Sequence, residues 1–246
     1  MMKKKLIAIA AVPIFVFSSC SLTNVRNLKY TDTTSEKFTL KETGIKAVDL
    51  DIEVGNCTIS YGDVKSPELS VEYKFRGITQ KKIDEAKKQV GIESNVENDI
   101  LYIEFELPEN GYSTKVEVAT NIDIIMPEGD YDFDINSDVG DVFLDKLCGR
   151  FNIECDVGDI ELDDVTVMGD SDIYSDVGNV RVSLKNAEKS DLYITTDVGD
   201  ITFDAGELNV NEKKASDNVT GERITVEINE KCTVKMNADV GEIKLR

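Results

Sequence analysis

Ile153-Glu154-Cys155-Asp156-Val157-Gly158-Asp159-Ile160-Glu161-Leu162 decides the fold, because the parity of its apolar positions changes at the glycine. Up to Val157, the residues Phe151, Ile153, Cys155 and Val157 alternate with polar neighbours, which is the period of two of a half-buried strand. Past Gly158 the apolar set moves to Ile160 and Leu162. A strand that switches faces in this way has turned a corner. Glycine supplies the bend through its tolerance of positive φ, and the Asp159 that follows offers a carboxylate to nearby backbone N–H groups.

The same corner recurs along the chain. Asp138-Val139-Gly140, Asp156-Val157-Gly158, Asp176-Val177-Gly178, Asp197-Val198-Gly199 and Asp239-Val240-Gly241 are spaced 18, 20, 21 and 42 residues apart. Midway through the last interval, Asn218-Val219-Thr220-Gly221-Glu222 reads as a degenerate copy, and Glu53-Val54-Gly55-Asn56 reads as an earlier one. Three residues before each aspartate stand Ile135, Ile153, Ile173, Ile194 and Met236, and directly before it the small Ser137, Cys155, Ser175, Thr196 and Ala238. After the corner the apolar positions are Val142, Ile160, Val180, Ile201 and Ile243. A period near 20 marks an array whose units bury their faces only by stacking. Each unit is expected to be strand, glycine corner, strand and looser turn, with equivalent strands about 4.8 Å apart. Stacking in chain order would place Asp138, Asp156, Asp176 and Asp197 in one column and Asp141, Asp159 and Asp200 in another. Those columns are expected to be solvated carboxylates with corner hydrogen bonds, and the alternative is a ladder bridged by Ca²⁺.

The first half is less regular. Alternation at Val48 to Val54 and at Leu69 to Phe75 predicts strands. Residues 78–91 read as a short helical insert, capped by Thr79, with Ile83, Ala86 and Val90 on one side. Glu97-Asn98-Asp99 predicts a hairpin, and Pro127-Glu128-Gly129-Asp130 a turn. Ser21 to Lys37 is polar and is expected to be a tether.

Composition narrows the chemistry. The 246 residues include 28 Lys plus Arg against 48 Asp plus Glu, a net charge of −20, with no His and no Trp. Without imidazole there is no Ser/His or Cys/His nucleophile pair. Nucleic acid is excluded as a partner, since its phosphates call for basic side chains. Carboxylates that recur in every unit do not make the single asymmetric pair of an acid/base enzyme. Tyr102, Tyr112, Tyr131, Tyr174 and Tyr193 offer stacking surfaces but read as sheet packing. Cys57 and Cys155 occupy inward positions, whereas Cys148 and Cys232 lie near the starts of their units, where pairing stays open. No paired Cys spacing fits zinc, so neither metal nor cofactor is expected.

At the start, Lys3, Lys4 and Lys5 precede an apolar run from Leu6 to Phe17 and then Ser18-Ser19-Cys20. This resembles a bacterial lipoprotein signal, which implies removal of residues 1–19 and lipid on Cys20. An ordinary cleaved signal and an uncleaved anchor are the alternatives.

From about residue 45 onward the chain resembles the bacterial putative-adhesin family of repeat β domains of unknown function. The residues that carry the likeness are Asp49-Leu50-Asp51-Ile52-Glu53-Val54-Gly55-Asn56, the helical insert, Ile124-Ile125-Met126-Pro127-Glu128-Gly129 and the Asp-Val-Gly series. The resemblance implies a β-solenoid-like fold and surface display, with no catalytic residue to carry over. The expected fold is all-β: a right-handed parallel β-solenoid-like domain of about 20-residue units over 41–246, after a lipidated N-terminus and tether at 20–40. The expected function is a noncatalytic, lipid-anchored module of the cell envelope facing outside the cytoplasm. Its partners would be the membrane, through Cys20, and an envelope protein or glycan. The alternative is an envelope-stress sensor or regulatory partner of a membrane protein; a polysaccharide-acting β-helix enzyme ranks below both.

Overall fold

The structure, a computed structural model, describes residues 28–41, 43–106, 112–113, 116–185, 190–198, 200–203, 213–215, 222–226 and 232–245. Their strands lie on two faces of one curled sheet, one face formed before the corners and the other after them. The first face runs β5 (Gly91–Glu97), β6 (Ile100–Glu106), β2 (Ala47–Val54), β9 (Asp130–Val139), β11 (Cys148–Val157), β13 (Ser171–Val177), β19 (Cys232–Val240), β15 (Ser190–Val198), β18 (Glu222–Val226) and β17 (Lys213–Ala215). The second runs β1 (Tyr30–Thr39), β4 (Glu68–Gly77), β8 (Val116–Met126), β3 (Cys57–Tyr61), β10 (Val142–Asp145), β12 (Ile160–Val167), β14 (Val180–Leu184), β20 (Ile243–Leu245) and β16 (Ile201–Phe203). A short β7 (Tyr112–Ser113) adds to β8. The interior of both faces is parallel, while β1, β4, β5, β17 and β18 close the ends antiparallel.

The core forms between the faces as the alternation requires. Ile135, Ile153, Ile173, Ile194 and Met236 from the first face and Val142, Ile160, Val180 and Ile243 from the second are all buried. Burying an aliphatic side chain of this size contributes roughly 1.5–3 kcal/mol. Phe133 and Phe151, in register on β9 and β11, stack with ring centroids 5.5 Å apart.

Four expectations change. Residues 30–39, placed in the tether, form β1, which pairs with β4 through all ten residues. Thr31, Thr33, Thr34 and Thr39 with Tyr30 and Phe38 favour extended backbone, and the polar composition suits an outermost strand with a solvated side. The helix α1 spans only Gln80–Ala86, although Thr79 caps it by accepting from the Lys82 N–H at 3.3 Å, and Ile83 and Ala86 are buried. The expected copy at 218–222 is not a further parallel rung, because β18 runs antiparallel to β15; residues 218–221 lie outside the described residues. Chain order is also not stacking order. The strand pair β19 and β20 lies between the units of β13–β14 and β15–β16 on both faces.

Candidate functional site

The corners line up as one ladder. Parallel register joins Val54, Val139, Val157, Val177, Val240 and Val198 in that order. Backbone bonds repeat along it: Gly55 N–H donates to Val139 O, Gly140 to Val157, Gly158 to Val177, Gly178 to Val240 and Gly241 to Val198. Asp239 therefore stands between Asp176 and Asp197, which corrects the column read in chain order.

Positive φ is not what the corner glycines share. Gly55 and Gly140 both have φ +144°, but Gly178 and Gly241 lie outside the left-handed region. What they share is proximity. A Cβ on Gly140 would lie 1.8 Å from Gly55 O, on Gly178 1.8 Å from Gly158 O, and on Gly241 1.8 Å from Gly178 O. Two of the small residues before the aspartates fit beneath this contact: Cys155 Sγ donates to Gly140 O at 3.3 Å, and Ser175 Oγ to Gly158 O at 3.2 Å. Gly199 lies outside the described residues, as does the side chain of Asp197.

The side chain after each glycine reaches to the next rung. Asn56 Oδ1 accepts from Asp141 N–H at 3.0 Å, Asp141 Oδ1 from Asp159 N–H at 2.9 Å, Asp159 Oδ1 from Asn179 N–H at 2.8 Å, and Asn179 Oδ1 from Glu242 N–H at 3.0 Å. Arg181 also meets Asp159 at 2.7 Å. Burial raises the pKa of Asp159, but the Asn179 N–H, the Arg181 guanidinium and the Asn179 amide outweigh it and hold the carboxyl below its ordinary value.

Asp138, Asp156 and Asp239, by contrast, point outward and are exposed; Asp176 is half-buried. The Tyr174 hydroxyl lies between Asp176 and Asp239, 3.0 Å from Asp239 Oδ2, so its one proton is shared between the two carboxylates; the hydrogen bond to Asp176, then burial, then the hydrogen bond to Asp239 push its phenol pKa up. Val139, Val157, Val177, Val240 and Val198 are 45% to 49% exposed, so the inward alternation ends at the small residue and not at the valine. Sequence reading missed this valine column. The signal was available: if the bend begins at the aspartate, the residue after it turns outward with it.

Asp49 is pushed up by burial and by its neighbours Asp134, Asp51 and Glu104. Among the described residues no group of three or more Cys, Asp or Glu is placed to hold a metal ion. A cavity of about 250 Å³ is lined by Arg150 and Lys235 with Asp170 and Asp172, which balance their charge. Cys57, Cys148, Cys155 and Cys232 are free thiols, and burial pushes Cys148 and Cys155 up to about 11. Strand β13 separates β11 from β19, two spacings or roughly 9.6 Å, so Cys148 and Cys232 do not meet. Cys20 lies outside the described residues.

The Toastrack DUF4097 family matches residues 119–246. The crystal structure of a putative cell adhesion protein from Clostridium sporogenes is 18% identical, with a TM-score of 0.54, and the match covers 87% of this chain and 99% of that one. That of a putative adhesin from Bacteroides fragilis is 16% identical, with a TM-score of 0.40, over 91% and 100% of the two chains. No curated protein matches the chain.

Proposed function

The chain belongs to the Toastrack DUF4097 family, and on that premise we propose that it is a noncatalytic, lipid-anchored surface module of the bacterial envelope that binds through its stacked corners. The observation that carries this reading is the equivalence of the corners. Asp138, Asp156 and Asp239 recur at one position of the rung and are all exposed, whereas acid/base catalysis needs two carboxylates held in different environments. A rigid array of repeated side chains suits recognition of an extended partner surface. The Clostridium sporogenes protein of like fold is described as a putative cell adhesion protein, which agrees with display. In this reading, units 18 to 21 residues apart wind as a right-handed stack, the hand favoured for parallel connections. Among the described residues no helix is long and apolar enough to cross a membrane, and the proposed attachment is lipid on Cys20.

Two measurements test the proposal. Labelled fatty acid should enter the wild-type protein, and Cys20→Ala should abolish the label and release or leave unprocessed the chain; envelope-bound wild type without label refutes lipid anchoring. A hydrolase and lyase screen should be silent. Turnover abolished by one Asp→Asn change in a folded protein would move the assignment to an enzyme.

A further inference from the structure

The corner ladder leaves apolar surface where a stacked sheet normally presents polar side chains. Five valines, Val139 to Val198 in stacking order, stand outward at close to half exposure. At about 4.8 Å per rung the column is roughly 19 Å long. Carboxylates border it on both sides. Asp138, Asp156 and Asp239 precede the valines, and Asp141, Glu242 and Asp200 follow the glycines; all six are exposed. No ion pair among the described residues engages any of the six.

We propose that this valine column is the docking seat for a cationic amphipathic helix of a partner protein, an inference that rests on the binding-module reading above. Charge selects the occupant. Two copies of this chain placed column to column would oppose acidic borders on a molecule of net charge −20, and an anionic lipid surface would meet the same repulsion. A neutral apolar partner would cover carboxylates without compensating them. Lysines and arginines beside an apolar stripe answer both parts of the surface. Spacing selects the helix: its turns recur every 5.4 Å, near the rung spacing, whereas same-side residues of a strand recur at about 6.7 Å. About 13 helical residues cover the column.

The probe is a labelled 18-residue Leu/Lys amphipathic helix, titrated with the full chain by fluorescence anisotropy. Its controls are a scrambled sequence of the same composition and a Leu/Glu helix of the same pattern. Saturable binding of the Leu/Lys helix is expected, at least tenfold tighter than the scrambled peptide, with none of the Leu/Glu helix. Val157→Ser with Val177→Ser and Val240→Ser should weaken it at least tenfold while the charge is unchanged. If that triple variant fails to fold, Val177→Lys alone should give the loss by placing a cation in the seat. Asp156→Asn with Asp239→Asn should weaken binding and flatten its salt dependence. Equal binding of the scrambled peptide, or of a folded valine variant, overturns the proposal in favour of a general polyanion effect. Self-association through the column, or absence of saturable binding, also overturns it, and leaves the fatty-acid result to judge the surface assignment separately.

Discussion

At Gly178, a single missing Cβ sets the distance between two rungs. The added atom would meet Gly158 O at 1.8 Å, and the obstacle is backbone that cannot swing aside. Gly44 provides the contrast, with φ +82° but nothing within 4 Å of the same added atom. Gly178→Ala should therefore cost more than about 3 kcal/mol or prevent folding, whereas Gly44→Ala should cost about 1–2 kcal/mol, read from denaturant melts. Two aspartates make opposite predictions about acid. The lowered pKa of Asp159 stabilises the fold fully above its unfolded value near pH 4, and that contribution is lost as pH falls through the lower folded value. Asp159→Ala should lower Tm at neutral pH, with the difference from wild type closing in strong acid. The raised pKa of Asp49 imposes a penalty above its folded value that protonation relieves. Asp49→Asn should raise Tm at neutral pH, and this gain should fade as pH falls through the raised folded value and be gone below about pH 4.

Among the elements, those with strong local patterns were legible: the corner strands, the hairpin with Asn98 at φ 54° and Asp99 at φ 67°, and the Thr79-capped helix. What the pattern missed depended on neighbours distant in sequence. The Thr-rich segment 30–39 favours extended backbone, but a polar extended segment becomes an outer strand instead of a tether only where β4 offers its edge. The site was half legible. Repetition identified the aspartates and glycines, but their shared constraint is a contact between rungs, and the outward valines depend on where the bend begins. Tyr61 illustrates the same limit, since its hydroxyl accepts from Cys148 N–H at 2.9 Å and donates to Gly129 O, joining the end of β3 to the turn before β9 and to the start of β11. Tyr61→Phe should cost about 1–3 kcal/mol, because it strands a partly buried backbone N–H. Equal thermal melts for variant and wild type would remove that role.

Over the whole molecule, the net charge of −20 and the outward carboxylates predict a fold stabilised by salt through screening. In the column that follows the glycines, Asp141 and Asp159 already accept N–H bonds from the next rung, so Ca²⁺ should raise Tm no more than Na⁺ at equal ionic strength. A saturable shift of several degrees at submillimolar Ca²⁺, lost in Asp156→Asn with Asp176→Asn, would contradict this. The position of β19 and β20 has a temporal consequence as well. A chain made or exported from its N-terminus delivers β15 and β16 before the pair that must lie beneath them. Until residues 232–245 emerge, β13 and β14 present bare edges, and the rung above has no seat. The stack cannot be completed storey by storey as the chain appears; it closes when a late segment enters like a keystone, and the interval before that is when its open edges are most exposed to wrong partners.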